Sequence, residues 1–121
     1  MIRLLVMLFL ATLAIVSATA TYARMGEEAK IEELIASVRA TPEGTMFIRN
    51  GREYGCKKAA EHLRTKYAFG KKHAATAELF INNIASRSSV TGAAYTIRFP
   101  DGATVTAREF FTEELKKINT R

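Results

Sequence analysis

Only one cysteine, Cys56, occurs in the 121 residues, so no disulfide can form within the chain. Tryptophan is absent, and Asp101 is the sole aspartate. There is no G-x-x-x-x-G-K-[ST] phosphate loop, no H-E-x-x-H metal helix and no G-x-S-x-G nucleophile turn. The two histidines, His62 and His73, stand eleven positions apart without a second cysteine near them. A zinc site needs three or four ligands, so neither a metal nor a cofactor is expected. Asp101 lies in Pro100-Asp101-Gly102, where turn formation accounts for it. Beyond the N-terminal segment no run is apolar enough to span a bilayer.

That segment has three parts. Met1-Ile2-Arg3 carries one positive charge, residues 4–16 carry none, and Ala18-Thr19-Ala20 is a small-residue cleavage signal. The apolar run is shorter than the ~20 residues a spanning helix needs. Residues 1–20 are therefore read as a cleavable signal peptide and residues 21–121 as a single exported domain. A chain of about a hundred residues buries roughly two-thirds of its unfolded surface, enough for one core. Without disulfides, that core must hold the domain by apolar packing.

Periodicity then orders the elements. Ile31, Leu34, Ile35 and Val38 recur at helical spacing between Glu27 and Arg39, and Pro42 and Gly44 follow as stops. Asn50-Gly51 between two short β-prone runs, residues 45–49 and 52–54, signals a hairpin. A second helix is expected over residues 57–69, its apolar face formed by Ala59, Ala60, Leu63 and Tyr67, with Gly70 ending it. Thr76 suits the N-cap of a third helix that buries Ala77, Phe80, Ile81, Ile84 and Ala85. After a polar loop, residues 95–99 alternate as a strand, Pro100-Asp101-Gly102 turns, and residues 103–105 return. Thr106 and Glu109 form a capping box for a last helix carrying Phe110, Phe111, Leu115 and Ile118. The expected fold is a small α+β domain in the order α-ββ-α-α-ββ-α, with helices packed on a small, mainly antiparallel sheet.

Several stretches carry a family resemblance when taken together. They are Phe47-Ile48-Arg49-Asn50-Gly51 with Tyr54, His62-Leu63-Arg64 with Lys66, and Thr76-Ala77-Glu78 with Phe80-Ile81. Ala85-Ser86, Ser88-Ser89, Thr91-Gly92 and Tyr95 complete the series. In this order and spacing the chain resembles the YfeK-like family, small exported proteins of Gram-negative bacteria that form a domain of unknown function. The resemblance implies a periplasmic location and brings no catalytic residue with it.

Three features could carry chemistry. Cys56 reads either as a small buried hydrophobe on the stripe of the second helix or as a thiol activated by a helix N-terminus beside Lys57 and Lys58. Ser86, Ser88, Ser89 and Thr91 read either as a nucleophile loop or as hydroxyls that satisfy backbone groups at a helix end. His62 falls more than about 100° from the centre of the apolar stripe, which places it near the surface. Most glutamates lie on what should be the outer faces of the first and last helices.

Charge is the third feature. Lys57, Lys58, Arg64, Lys66, Lys71 and Lys72 stand against Glu61 alone, so residues 57–73 carry a net +5. Residues 21–56 sum to −1 and residues 74–121 to +1, which leaves the whole excess on one helix and its exit. Tyr67 and Phe69 interleave with these cations. Such a segment reads either as a solvated helix face or as a surface that favours anionic partners. In the periplasm those are anionic lipid, lipopolysaccharide or an acidic envelope protein rather than nucleic acid. The expected function is a non-enzymatic envelope module using this segment. The alternatives are a small hydrolase or thiol enzyme using Cys56 or loop 86–91, and a subunit that docks through an apolar face.

Overall fold

The computed structural model describes residues 25–121, so the expected signal peptide, residues 1–20, lies outside the described residues. The elements follow the expected order. Helix α1 (Glu27–Arg39) is followed by β1 (Met46–Arg49), β2 (Arg52–Tyr54), α2 (Cys56–Gly70) and a 3₁₀ turn (Lys71–His73). Helix α3 (Ala77–Phe80) runs straight into a π-helical turn (Ile81–Ala85), and β3 (Thr96–Arg98), β4 (Thr104–Thr106) and α4 (Ala107–Asn119) complete the domain. Among the described residues, no helix is long and apolar enough to cross a membrane.

The four strands form one antiparallel sheet in the order β2-β1-β3-β4. Asn50 and Gly51 take φ of 50° and 77°, the left-handed pair that a two-residue hairpin requires. Registration aligns Tyr54, Phe47, Ile97 and Val105 in one row across the sheet. Side chains alternate along a strand, so this row shares one face, and the fully buried Ile97 shows that it faces the helices.

Against that face pack Ile31, Leu34, Ile35 and Val38 of α1, Leu63 and Tyr67 of α2, Phe80 and Ile84, and Phe111, Leu115 and Ile118 of α4. Phe80 sits at the centre, edge-on to Tyr67 at 5.6 Å and to Phe111 at 6.4 Å. Such pairs contribute about 0.5–1.5 kcal/mol beyond their buried area. The Thr76 side chain caps α3 by accepting from the Leu79 N–H. The Thr106–Glu109 capping box opens α4 as its spacing implies.

Gly70 ends α2 for a different reason than its type implies. Its φ is −108°, so no left-handed turn is made there. A Cβ on Gly70 would instead lie 2.6 Å from Ile84 Cδ1, and the missing side chain lets the end of α2 pack closely on the π turn. Replacing Gly70 by Ala should destabilise the domain by about 1 kcal/mol or more. In an Ile84→Val background, which lacks that Cδ1, the same change should be neutral or stabilising, because Ala narrows the unfolded ensemble. Denaturant midpoints of the four proteins in this double-mutant cycle check the coupling.

Candidate functional site

The site lies where the sheet edge, α2 and the exit from α3 meet. Alternation along β1 puts Arg49 on the same face as Phe47, so a cation ends the inward row of the strand. Tyr95 precedes β3 by one residue and falls on the face of Ile97 by the same rule. From α2 come His62 and Lys66, four residues apart and therefore neighbours on one side of the helix. Arg87 closes the group from the loop after α3.

Lys66 is half-buried and turned inward. Its Nζ donates to Ile84 O at 2.7 Å, to Arg87 O at 2.6 Å and to Tyr95 Oη at 3.1 Å. Three donors exhaust an ammonium group. Burial, reinforced by Arg49 and Arg87, pushes this amine down to about 8. Burial likewise raises Tyr95 above the ordinary phenol value, with Arg49 opposing. His62 stacks edge-on against Tyr54 at 4.7 Å. Its imidazole is held below the usual value by burial, then by Arg49 and Lys58. His62, expected near the surface, stands partly exposed where α2 presents its polar side to the sheet edge beyond its apolar stripe.

No carboxylate answers these charges. Arg49, Lys66 and Arg87 form no ion pair among the described residues. The 24 residues outside the description contain neither Asp nor Glu.

Loop 86–92 forms the floor of the neighbouring depression. Ser86 is buried and its hydroxyl donates to Ile81 O at the start of the π turn. Ser88 Oγ, also buried, accepts from Asn50 Nδ2 at 3.1 Å and from the N–H groups of Val90 and Thr91 at 3.2 Å each. Thr91 Oγ1 donates to Asn50 Oδ1 at 2.8 Å, so the turn of the first hairpin is bolted to this loop. Among the described residues no histidine is hydrogen-bonded to a serine hydroxyl or to Cys56. The helix does begin at Cys56, but the thiol there is half-buried at the end of the stripe rather than enclosed by it.

The six cations of residues 57–73 are spread over different surroundings. Arg64 pairs with Glu32 at 2.8 Å and Lys71 with Glu28 at 3.3 Å, both glutamates coming from α1. Lys66 points inward, as described. Lys57 and Lys58 border a separate depression beside Cys56 and Glu61. Helical rise puts them roughly 20 Å from Lys72, beyond the ~8 Å over which exposed charges act on one another at physiological ionic strength. The α1 glutamates are thus partners of other helices rather than merely solvated. Arg49 and Arg87 belong to the cationic group but lie outside the basic segment. Strand alternation from Phe47 was the available signal for Arg49; nothing local marks Arg87.

The model of a family of unknown function, DUF5329, matches residues 25–119. The chain belongs to that family. It is also 39% identical over 69 residues to the uncharacterized protein YfeK of Salmonella typhimurium strain LT2, a match spanning 57% of this chain and 57% of that protein. The chain therefore matches somewhat more than half the length of this curated relative. No solved structure matches. The YfeK-like resemblance is thereby confirmed, and neither family nor relative brings an assigned activity to the site.

Two outcomes test the geometry. Ser88→Ala strips three donors of their buried acceptor and should cost about 1–3 kcal/mol by denaturant unfolding, whereas Ser89→Ala, at an exposed position, should stay within ~0.5 kcal/mol. The native Lys66 amine titrates near about 8 and the unfolded one near 10.5. Across that window the unfolded state binds more protons, so stability rises with pH on Lys66's account. Tyr95, whose proton is held more firmly in the native state, acts in the opposite sense above its ordinary 10.0. Denaturation midpoints between about 8 and 10.5 should show the Lys66 slope, and Lys66→Met should lack it.

Proposed function

We propose that this protein is a non-enzymatic periplasmic module, exported by way of the signal peptide at residues 1–20, that docks on an anionic lipid surface of the cell envelope. One observation carries the reading. Phe69 and Val90 are 87% and 92% exposed, and they flank two adjoining depressions that share Lys66 and Ser89 and contain no carboxylate. Arg87 lines the first depression and Arg49 the second. Lys72 follows three residues after Phe69.

Exposed apolar side chains between unanswered cations are what an anionic bilayer interface accepts. The apolar groups enter the acyl boundary, and each nearby Lys or Arg adds about 1 kcal/mol at an anionic surface. Arg64 and Lys71 contribute less than their charge implies, since α1 already pairs them. Lys57 and Lys58 stand at the far end of α2 and serve as a control. The hydrogen bonds of Ser86, Ser88 and Thr91 favour binding over hydrolysis, because those hydroxyls serve the backbone and Asn50.

Co-sedimentation with vesicles tests the proposal. The protein should bind phosphatidylcholine vesicles doped with phosphatidylglycerol, release them as salt rises, and ignore pure phosphatidylcholine. Phe69→Ser with Val90→Ser should lower partitioning at least about tenfold, because each side chain loses an apolar burial of ~1.5–3 kcal/mol. Both sites are exposed, so the thermal midpoint should barely move. Lys57→Glu with Lys58→Glu should have a smaller effect. Lipopolysaccharide in the same assay separates the two anionic surfaces. Equal binding to doped and undoped vesicles, or capture by an acidic protein alone, would overturn the reading.

A further inference from the structure

Behind the cationic group lies a cavity of about 50 Å³. Its inner wall consists of buried apolar side chains, among them Ala59, Leu63, Ile97 and Phe111. Its outer wall is formed by the half-buried Arg49, Tyr54, His62, Lys66 and Tyr95. The chamber is therefore apolar at the back and positive at the mouth, and no Asp or Glu lines it.

The donors at the mouth are unequally occupied. Lys66 spends its three protons on Ile84 O, Arg87 O and Tyr95 Oη, so it offers charge without a free N–H. Arg49 is in no ion pair among the described residues; its guanidinium lies 5.8 Å from the centre of the Tyr54 ring and beside Tyr95. Five donors in a fixed plane match a carboxylate in bidentate fashion. The volume limits what can follow the carboxylate inward. An apolar cavity of ~150 Å³ takes benzene, so a third of that volume leaves room for about two or three carbons.

We infer that this cavity binds a carboxylate bearing a short apolar group, with Arg49 clasping the carboxylate at the mouth and the apolar group filling the space between Ala59, Leu63 and Ile97. Such a group occurs on a free short-chain acid and at the C-terminus of a peptide ending in a small apolar residue. The inference goes beyond the vesicle reading and does not depend on it, because Phe69 and Val90 do not line the cavity.

Butyrate and N-acetyl-alanyl-valine represent the two sources, and amide and side-chain resonances of the full domain report occupancy. Butyrate should shift the resonances of Arg49, Ala59, His62 and Ile97 saturably, with a dissociation constant on the order of a millimolar, as its few heavy atoms allow. Phosphate, a charge without a tail, and 1-butanol, a tail without a charge, should each bind at least about tenfold more weakly. Arg49→Gln should weaken butyrate about tenfold, the loss of a charge-assisted pair. Ala59→Leu, which fills the chamber, should abolish binding. If that buried change prevents folding, the half-exposed Arg49→Gln variant still decides. Tighter binding of the acetylated dipeptide assigns the chain-terminus source, and tighter binding of butyrate assigns the free acid. Phe69→Ser with Val90→Ser should leave butyrate binding intact, so the two readings fail separately. No saturable shift with either carboxylate, phosphate equal to butyrate, or Arg49→Gln equal to the parent would overturn the inference.

Discussion

The ammonium group of Lys66 closes the end of the third helix, and the surrounding architecture depends on that closure. A helix terminus leaves carbonyl groups without partners, and burying them unpaired is costly. Here the terminus is a π turn packed between α2 and α4. Lys66 reaches across from α2 to take Ile84 O and Arg87 O, and Ser86 takes Ile81 O. With the turn fixed, Ser86 O accepts the Tyr95 N–H at 2.9 Å and Tyr95 O accepts the Ala107 N–H at 2.9 Å, which aims β3 and the start of α4. The route from α3 to the second hairpin thus runs through a lysine eighteen residues upstream of the carbonyl it satisfies. A cation is drawn inside for structural reasons, and its field then shapes whatever chemistry the mouth can perform.

The ion pairs act differently. Glu28 and Glu32 of α1 meet Lys71 of the 3₁₀ turn and Arg64 of α2 in an antiparallel ladder, and Glu27 accepts from the Ala77 N–H at 2.8 Å at the start of α3. Exposed pairs of this kind contribute about 0–1 kcal/mol each, well below what the core around Phe80 supplies. Their consequence is a redistribution of charge. By neutralising Arg64 and Lys71 they leave Lys57, Lys58, Lys66 and Lys72 of the basic segment without an ion pair among the described residues, and Arg49 and Arg87 outside it likewise have none.

Period and punctuation made the elements legible. The α1 stripe, the Asn50-Gly51 turn, the Thr76 cap and the Thr106–Glu109 box each rest on residues within a few positions of one another, and local geometry decides them. The site rests on longer separations. A helical wheel shows one apolar stripe on α2, so His62 and Lys66 fall on its polar side. Only the sheet edge, brought alongside by the tertiary fold, turns that side into a half-buried face. Nor can the wheel show that Arg64 and Lys71 meet glutamates 32 and 43 residues away. The π turn is equally hidden, since its widened ladder is held by Lys66 and by the serine hydroxyl that follows it. Arg49 was within reach of sequence reasoning: period two from Phe47 assigns it inward, and an inward arginine at the end of a strand marks a conflict between pattern and burial.

That conflict carries the functional weight. Arg98 has a carboxylate partner, Glu53, 2.7 Å away on the opposite face of the same sheet, whereas Arg49 and Lys66 have none among the described residues. Both faces are built from adjacent strands, so supplying a glutamate at the mouth poses no topological difficulty. Yet every residue bordering the mouth is apolar, neutral or cationic. Positive charges held together at partial burial repel one another and lower the stability of the native state. Natural sequences break local rules mainly where a site requires it. The uncompensated field at Arg49, Lys66 and Arg87 is therefore the feature on which the proposal of an anionic partner rests.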